Sequence, residues 1–285
     1  MGGNSDRARR RARERYEAQR QRRLERQRKN RRRAGIGLVV LVIAGIVAGG
    51  LVLFTGGNNS KSQAAAKASA SPSATATAST IAEPAHTCTY TKSGTAARTV
   101  SLPSTTPDYK ATYTATIRTN RGNIVINLLN SKATCTVNSF VHLAESGFWD
   151  QTQCHRVSNS DSLYMLQCGD AYAKASTNLT CSSTSDIGTG TPGYEFASEN
   201  LTGATYPAGT VAMANDGTAD SNGSQFFLVF KNTSLAADYT PFGTITSGLD
   251  ILQKVADAGT SCTYSAGGGA PKDKVIIDSV TIAQA

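Results

Sequence analysis

The sequence contains few of the side chains that bind metals or transfer protons. Its 285 residues include three histidines, His86, His142 and His155, and its six cysteines form no CxxC pair. Protein zinc sites usually combine closely spaced cysteine and histidine ligands. We therefore predict a protein without a metal site and without a cofactor.

Excess positive charge is also missing from most of the chain. The first 33 residues hold 15 of the 29 Lys and Arg residues and four of the 20 Asp and Glu residues. The remaining residues carry 14 basic and 16 acidic groups. This balance argues against a nucleic-acid surface on the main domain. We interpret residues 1–33 as a basic cytoplasmic tail that contacts lipid headgroups, with a nucleic acid or a cytoplasmic partner as the alternative.

No charged residue occurs between Ala34 and Gly57. As a helix, residues 36–54 would span about 29 Å, close to the hydrocarbon thickness of a bilayer. We predict a single transmembrane anchor over residues 34–57, with a cytoplasmic N-terminus because the basic block precedes it. A cleaved signal peptide is the alternative, although its apolar run is usually shorter. The predicted location is the cell membrane, with the following domain outside the cytoplasm.

Large apolar side chains are rare in residues 58–84, which are rich in Ala, Ser and Thr. A segment that cannot bury a core is predicted to be a flexible linker. Residues 85–108 are interpreted as a cysteine-containing extension, and residues 109–285 as the main domain.

All the cysteines follow the predicted anchor. An even number of cysteines in an exported domain predicts up to three disulfides, with buried free thiols as the alternative. Six cysteines allow 15 pairings, and the sequence leaves the choice among them open. They are Cys88, Cys135, Cys154, Cys168, Cys181 and Cys262.

The main domain has the pattern of a mainly β protein. Two alternating apolar segments, ATYTATIRT and IVINLL, flank residues 120–123, which is typical of a hairpin. One helix is predicted to start at a cap on Thr134 or Thr136 and to end before Gly147, and a second covers residues 249–258. Many short strands with two helices favour a closed β-barrel with helices over its ends.

Three segments carry the functional information. In chain order they are GFWDQTQCHRV (147–157), YMLQCGDA (164–171), and MAN followed by GSQFF within residues 204–230. In this order they resemble the landmarks of the cyclophilins, a family of peptidyl-prolyl cis-trans isomerases, and the resemblance covers about residues 109–285. It implies an eight-stranded antiparallel β-barrel capped by two α-helices. The predicted fold is such a closed barrel, preceded by a single transmembrane helix.

The resemblance also implies the reaction and its residues. Isomerisation of an X–Pro bond breaks no covalent bond, so it requires a proline pocket, a grip on the backbone and a donor to the prolyl nitrogen. Arg156 matches the family's catalytic arginine, and Gln167 matches the glutamine that binds the substrate backbone. His155 is interpreted as structural. The substrate-binding positions of the family are matched by Tyr164, Met165, Ala214, Asn215, Gln225, Phe227, Leu235 and Tyr239.

The chain departs from the family pattern in three places. The segment between Arg156 and Gln167 is longer than usual, and Tyr164 replaces a usual Phe. Ser234 stands where many eukaryotic members have a tryptophan at the rim of the pocket. Binding of cyclosporin, which uses that indole in the family, is therefore expected to be weak.

We predict a monomeric isomerase domain that accelerates the folding of proline-containing exported polypeptides at the outer face of the membrane. The order of segments resembles that of actinobacterial members of the family. One alternative is a non-catalytic peptide-binding or holdase module that uses the same groove, although binding alone would not require Arg156. Another is a structural tethering protein whose tail is the functional part.

Overall fold

The computed structural model describes residues 87–160, 163–182, 185–218, 220–264 and 267–285. These residues belong to one compact unit that comprises residues 78–285. The predicted tail, anchor and linker lie outside the described residues. Within the described residues no helix is both long enough and apolar enough to cross a membrane, so the transmembrane helix of the predicted fold class has no counterpart there.

Short strands dominate the described part of the chain, together with two helices, α1 and α2. The elements follow in the order β1 (Thr91–Lys92), β2 (Tyr113–Thr119), β3 (Gly122–Leu128), α1 (Thr134–Glu145), β4 (Thr152–Gln153), β5 (Arg156–Ser160), β6 (Leu163–Cys168), β7 (Tyr194–Glu195), β8 (Thr210–Met213), β9 (Phe226–Val229), β10 (Pro241–Ser247), α2 (Leu249–Ala258) and β11 (Ile276–Gln284).

Nine strands form one antiparallel sheet in the order β4-β11-β2-β3-β10-β8-β9-β6-β5, and β1 pairs separately with β7. The sheet curls into an open half-barrel. Its end strands, β4 and β5, are consecutive in the chain and are separated only by Cys154 and His155. No pairing joins β4 to β5 in the described residues, because the Cys154 N–H donates to the Val275 carbonyl beside β11 and the His155 N–H donates to the Gln167 carbonyl on β6. The prediction of a closed eight-stranded barrel is wrong for this reason.

Strands β2 and β3 form the hairpin that the alternating pattern predicted, and residues 120 and 121 make the turn. One face of the hairpin buries Ala115, Ile117, Ile124 and Ile126, each at most 1% exposed. A period of two residues places these side chains on the same face of the sheet. This face forms part of the main hydrophobic core.

Helix α1 has a cap that differs from the prediction. The residue at its N-terminal boundary, Ala133, provides no side-chain cap. Instead, the Glu199 carboxylate accepts hydrogen bonds from the backbone N–H groups of Cys135 and Thr136, at 3.1 and 2.7 Å. A carboxylate satisfies the free N–H groups of the first turn and interacts favourably with the helix dipole. Glu199 therefore replaces the predicted threonine cap.

Helix α2 covers the predicted residues, Leu249–Ala258, and buries Leu252, Val255 and Ala256. Gly248 precedes it with φ +88°, and a Cβ atom there would lie 2.5 Å from the carbonyl oxygen of Asn123. Only glycine fits both the left-handed backbone and this close approach. The turn therefore fixes the start of α2.

Three disulfides link Cys88 to Cys135, Cys154 to Cys168, and Cys181 to Cys262. The first joins the extension to α1, and the hydroxyl of Tyr90 in the extension donates to the Cys135 carbonyl at 2.8 Å. The second joins Cys154, two residues before β5, to Cys168, the last residue of β6. The third joins two loops that lie 81 residues apart in sequence.

We expect the unreduced protein to contain no thiol that reacts with a thiol reagent under denaturing conditions. After reduction, all six cysteines should react. Any pair of reactive thiols before reduction would contradict the disulfide to which the pair belongs. Peptide mapping of the unreduced protein would identify which cysteines remain unpaired.

Candidate active site

Four neighbouring strands place the two predicted catalytic residues in one row. Arg156 on β5 lies opposite Gln167 on β6, which lies opposite Phe227 on β9, which lies opposite Ala212 on β8. Residues directly opposite one another in a sheet project to the same face. The neighbouring residue Leu166 projects to the other face, where it joins the main core. The row is therefore built on the face of the sheet that the main core leaves free.

A chain of hydrogen bonds fixes the polar side chains of this row. The Arg156 Nη1 donates to Gln167 Oε1 at 3.2 Å, and Gln167 Nε2 donates to Gln225 Oε1 at 3.0 Å. Gln225 Nε2 in turn donates to the carbonyl oxygens of Gly188 and Gly190, each at 3.0 Å. Carbonyl oxygens only accept, so they fix the orientation of the Gln225 amide and, through it, that of Gln167.

Arg156 is held from its other side by a backbone carbonyl. Its Nε donates to the Gly267 oxygen at 2.8 Å. Burial lowers the pKa of Arg156 from its usual value, while the nearby hydroxyls of Tyr239 and Tyr264 oppose this shift. A guanidinium stays charged at physiological pH even so. The site therefore presents a fixed cation with several donors.

A small apolar cluster, separate from the main core, lies beside this cation. Within this pocket cluster the rings of Phe227 and Tyr239 meet edge to face, with centroids 5.6 Å apart. An apolar surface next to a charged donor suits a pyrrolidine ring whose amide faces the cation. The pocket cluster consists of Met165, Tyr206, Ala212, Phe227 and Val229, with Leu163, Ala204, Ala214, Leu235 and Tyr239 packed around them.

Tyr206 is a member of the pocket cluster that the sequence analysis missed. It is 2% exposed, and its hydroxyl donates to the Tyr239 carbonyl at 2.8 Å. The same hydroxyl accepts from the Tyr239 backbone N–H at 3.1 Å. Tyr206 thus positions the backbone of Tyr239. The sequence feature that could have identified Tyr206 is its position within the motif segment, residues 204–230.

Two predicted binding residues occupy less direct positions. Tyr164 packs against the main core, with its ring 6.2 Å from that of Phe230, because neighbours in a strand face opposite sides. The Asn215 side chain donates to the Asp238 carbonyl at 2.8 Å and accepts from the Gly217 N–H at 3.0 Å. This side chain therefore shapes its own loop, and the peptide contact that the resemblance implies for Asn215, mainly through its backbone, stays a prediction. The other predicted binding residues lie in the pocket cluster or, for Gln225, in the polar chain.

His155, next to Arg156, is buried at 3% exposure. Its Nδ1 has no hydrogen-bond partner among the described residues. Burial, with a smaller contribution from the charge of Arg156, lowers the pKa of His155 from 6.5 to about 3. The imidazole is therefore neutral at physiological pH, which fits the structural role predicted for it.

Comparison with known families gives this geometry a context. The model for "Cyclophilin type peptidyl-prolyl cis-trans isomerase/CLD" matches residues 114–282. The chain belongs to the cyclophilin family. All the residues of the row and of the pocket cluster lie within the matched region of this cyclophilin.

Several curated proteins resemble this cyclophilin. The probable peptidyl-prolyl cis-trans isomerase B of Mycobacterium tuberculosis is 41% identical over 205 residues, which cover 66% of this chain and 60% of the relative. The protein of the same name from Mycobacterium leprae is 41% identical over 191 residues, covering 62% and 59%. The chain thus spans about three fifths of the length of these relatives. Peptidyl-prolyl cis-trans isomerase B of Streptomyces anulatus is 36% identical over 186 residues, covering 59% of this chain and 95% of the relative.

Among solved structures, a cyclophilin-type peptidyl-prolyl cis-trans isomerase from Cryptosporidium parvum is 24% identical. It has a TM-score of 0.48 and covers 60% of this chain and 98% of its own.

We expect this cyclophilin to bind cyclosporin weakly and the Ser234→Trp variant to bind it at least about tenfold more tightly. Ser234 is exposed and directly precedes Leu235 of the pocket cluster. An aromatic side chain there would add a contact surface of up to about 150–250 Å² and an N–H donor. Inhibition of isomerisation measures the affinity, and Ser234→Ala should match the wild type. Tight inhibition of the wild type would contradict the assignment of Ser234 to the rim of the pocket.

Proposed function

We propose that this protein is a peptidyl-prolyl cis-trans isomerase whose active site is the row of Arg156 and Gln167 beside the pocket cluster. One observation carries the proposal. A charged donor, held in place by the Gly267 carbonyl and by Gln167, stands next to the apolar pocket cluster. The family to which the chain belongs supports the same reaction.

The proposed mechanism follows from the electronic structure of the amide. Resonance between nitrogen and carbonyl gives the X–Pro bond a rotational barrier of about 18–20 kcal/mol. When the bond twists, the prolyl nitrogen regains a lone pair that can accept a hydrogen bond. The Arg156 guanidinium donates to this nitrogen only in the twisted state, so it stabilises the transition state more than the ground state. The pocket cluster holds the ring, and Gln167 binds the neighbouring backbone.

The substrates that we propose are exported polypeptides that contain proline. Three disulfides in the described residues support a compartment that is oxidising, because cytosolic thiols are usually kept reduced. Trapping of thiols by alkylation in acid-quenched cells tests the compartment. We expect all six cysteines to be protected from the alkylating reagent. Alkylation without prior reduction would refute an extracytoplasmic location.

A protease-coupled assay on the full-length protein tests the activity. The protease cleaves a short peptide only when its X–Pro bond is trans, so the slow phase reports isomerisation. Without a catalyst this phase takes tens to hundreds of seconds. We expect its rate to rise in proportion to the protein concentration. An unchanged slow phase would refute the proposed function.

A further inference from the structure

Two loops flank the Arg156–Gln167 pair, and each supplies backbone carbonyls that hold a side chain of the site. In the first, which we call the Cys181 loop (residues 179–182 and 185–193), Gly188 and Gly190 accept both hydrogen bonds from the Gln225 amide. In the second, the Cys262 loop (residues 259–264 and 267–271), the Gly267 carbonyl accepts a hydrogen bond from Arg156 Nε at 2.8 Å. The two loops thus hold the two ends of the hydrogen-bond chain that runs from Arg156 through Gln167 to Gln225.

The acceptor for Arg156 lies on the most flexible type of backbone. Residues 267–269 are three consecutive glycines, and Gly267 and Gly268 have φ values of +84° and +67°. Glycine has more conformational freedom than any other residue, so such a segment needs external contacts to keep one conformation. One contact is the pair of hydrogen bonds between Gly269 and Val157, at 2.8 and 2.9 Å. Another is the Tyr264 hydroxyl, which donates to the His155 carbonyl at 3.2 Å.

The Cys181–Cys262 disulfide joins the two loops covalently. Both cysteines are partly buried against a small apolar cluster that contains the buried residues Ala173, Leu179 and Ala270. This cluster is separate from the main core and from the pocket cluster. The disulfide therefore packs against a small apolar cluster, and both of the loops that it joins reach the site.

We propose that the Cys181–Cys262 disulfide is a positioning element of the active site, which holds the Gly267 carbonyl against Arg156 and the Cys181 loop against Gln225. The proposal rests on the proposed isomerase function. Displacement of a catalytic group by about 1 Å can lower a rate by as much as about a hundredfold. Loss of the link would let the glycine segment and its carbonyl move, and Arg156 would lose its fixed direction.

The Cys88–Cys135 disulfide provides a matched control. It closes a loop of comparable length, with a sequence separation of 47 residues against 81, so the chain-entropy model gives similar destabilisation when either link is removed. It joins the extension to α1, and the backbone hydrogen bonds from the extension to the Cys181 loop end at the Gly193 and Thr191 carbonyls, beyond the Gly188 and Gly190 carbonyls that hold Gln225. If both disulfides only stabilised the fold, removal of either one would have the same effect on activity.

The test compares the full-length Cys181→Ser/Cys262→Ser and Cys88→Ser/Cys135→Ser variants at a temperature where both are folded. We expect kcat/KM for an X–Pro peptide to fall about five- to twentyfold in the first variant and less than twofold in the second. An NMR measurement of the Arg156 Nε–H proton should show faster exchange with water in the first variant only. Equal activities in the two variants, or an unchanged Arg156 proton in the first, would overturn the proposal.

The Tyr264→Phe variant gives a second test that leaves every disulfide in place. It removes one of the contacts that hold the Cys262 loop on β5, so the Arg156 proton should again exchange faster than in the wild type. Unaltered exchange would count against the proposal. The NMR measurement needs no turnover, so it tests the positioning role independently of activity. If the wild type failed the isomerase assay, that result would refute the proposed function but not the positioning role.

Discussion

The Arg156→Ala variant should isomerise X–Pro bonds about 10- to 150-fold more slowly than the wild type. The change removes one charge-assisted hydrogen bond that forms fully only in the twisted transition state. Such a bond contributes about 1.5–3 kcal/mol, which corresponds to this range of rates. Peptide affinity should change little, because the pocket cluster and Gln167 remain. The protease-coupled assay gives kcat/KM for both proteins.

The stability of the Arg156→Ala protein should fall by no more than about 1.5 kcal/mol, since the lost hydrogen bonds lie at a partly exposed site. Urea unfolding measures this difference. Arg118→Ala, which changes an exposed arginine on β2, is the control and should keep full activity. An Arg156→Ala protein with nearly wild-type turnover would show that another group stabilises the twisted amide.

The second large effect concerns stability below neutral pH. The pKa of His155 is lowered by burial from 6.5 to about 3, so the folded protein takes up this proton only near pH 3. The unfolded chain takes it up near pH 6.5. The contribution of neutral His155 to stability is therefore complete above pH 6.5 and is lost as the pH falls toward 3. The expected loss is about 1.4 kcal/mol per pH unit, or a few kcal/mol in all.

Urea unfolding at pH 7 and pH 4.5 measures this loss. The His155→Phe variant keeps an aromatic ring at this position without a titrating group, and its stability should fall less steeply between pH 7 and pH 4.5. His142→Gln, at a half-buried position on α1, should behave like the wild type. If the free energy of unfolding depended equally on pH in the wild type and in the His155→Phe variant, His155 would not be buried as a neutral imidazole.

Local patterns predicted the elements of the fold well. The β2–β3 hairpin and α2 have a clear period and clear ends, so their boundaries follow from residues close together in sequence. Whether the sheet closes or stays open depends on very short strands such as β4, whose two residues carry no periodic signal. The cap of α1 comes from Glu199, more than 60 residues away in sequence. Long-range contacts of this kind leave no mark on the local sequence.

The candidate site likewise combines features that follow from local sequence patterns with features that depend on tertiary contacts. The alternation of strand residues brings Met165 and Gln167 to one face of β6, as a period of two requires. The same rule excludes Tyr164 from that face, a consequence that the motif match alone did not include. The supporting groups, the Gly267 carbonyl and the Tyr206 hydroxyl, come from loops whose path is set by tertiary contacts. A backbone carbonyl also has no sequence signature, since every residue has one.

Exchange NMR on an X–Pro peptide with a catalytic amount of the full-length protein tests the central claim most directly. This measurement needs no protease, and it separates catalysis from binding. We predict that the cis and trans signals of the peptide exchange on the timescale of a second or less, against tens to hundreds of seconds for the peptide alone. Signals that shift on binding while the exchange rate stays at its uncatalysed value would contradict the account and identify a peptide-binding module.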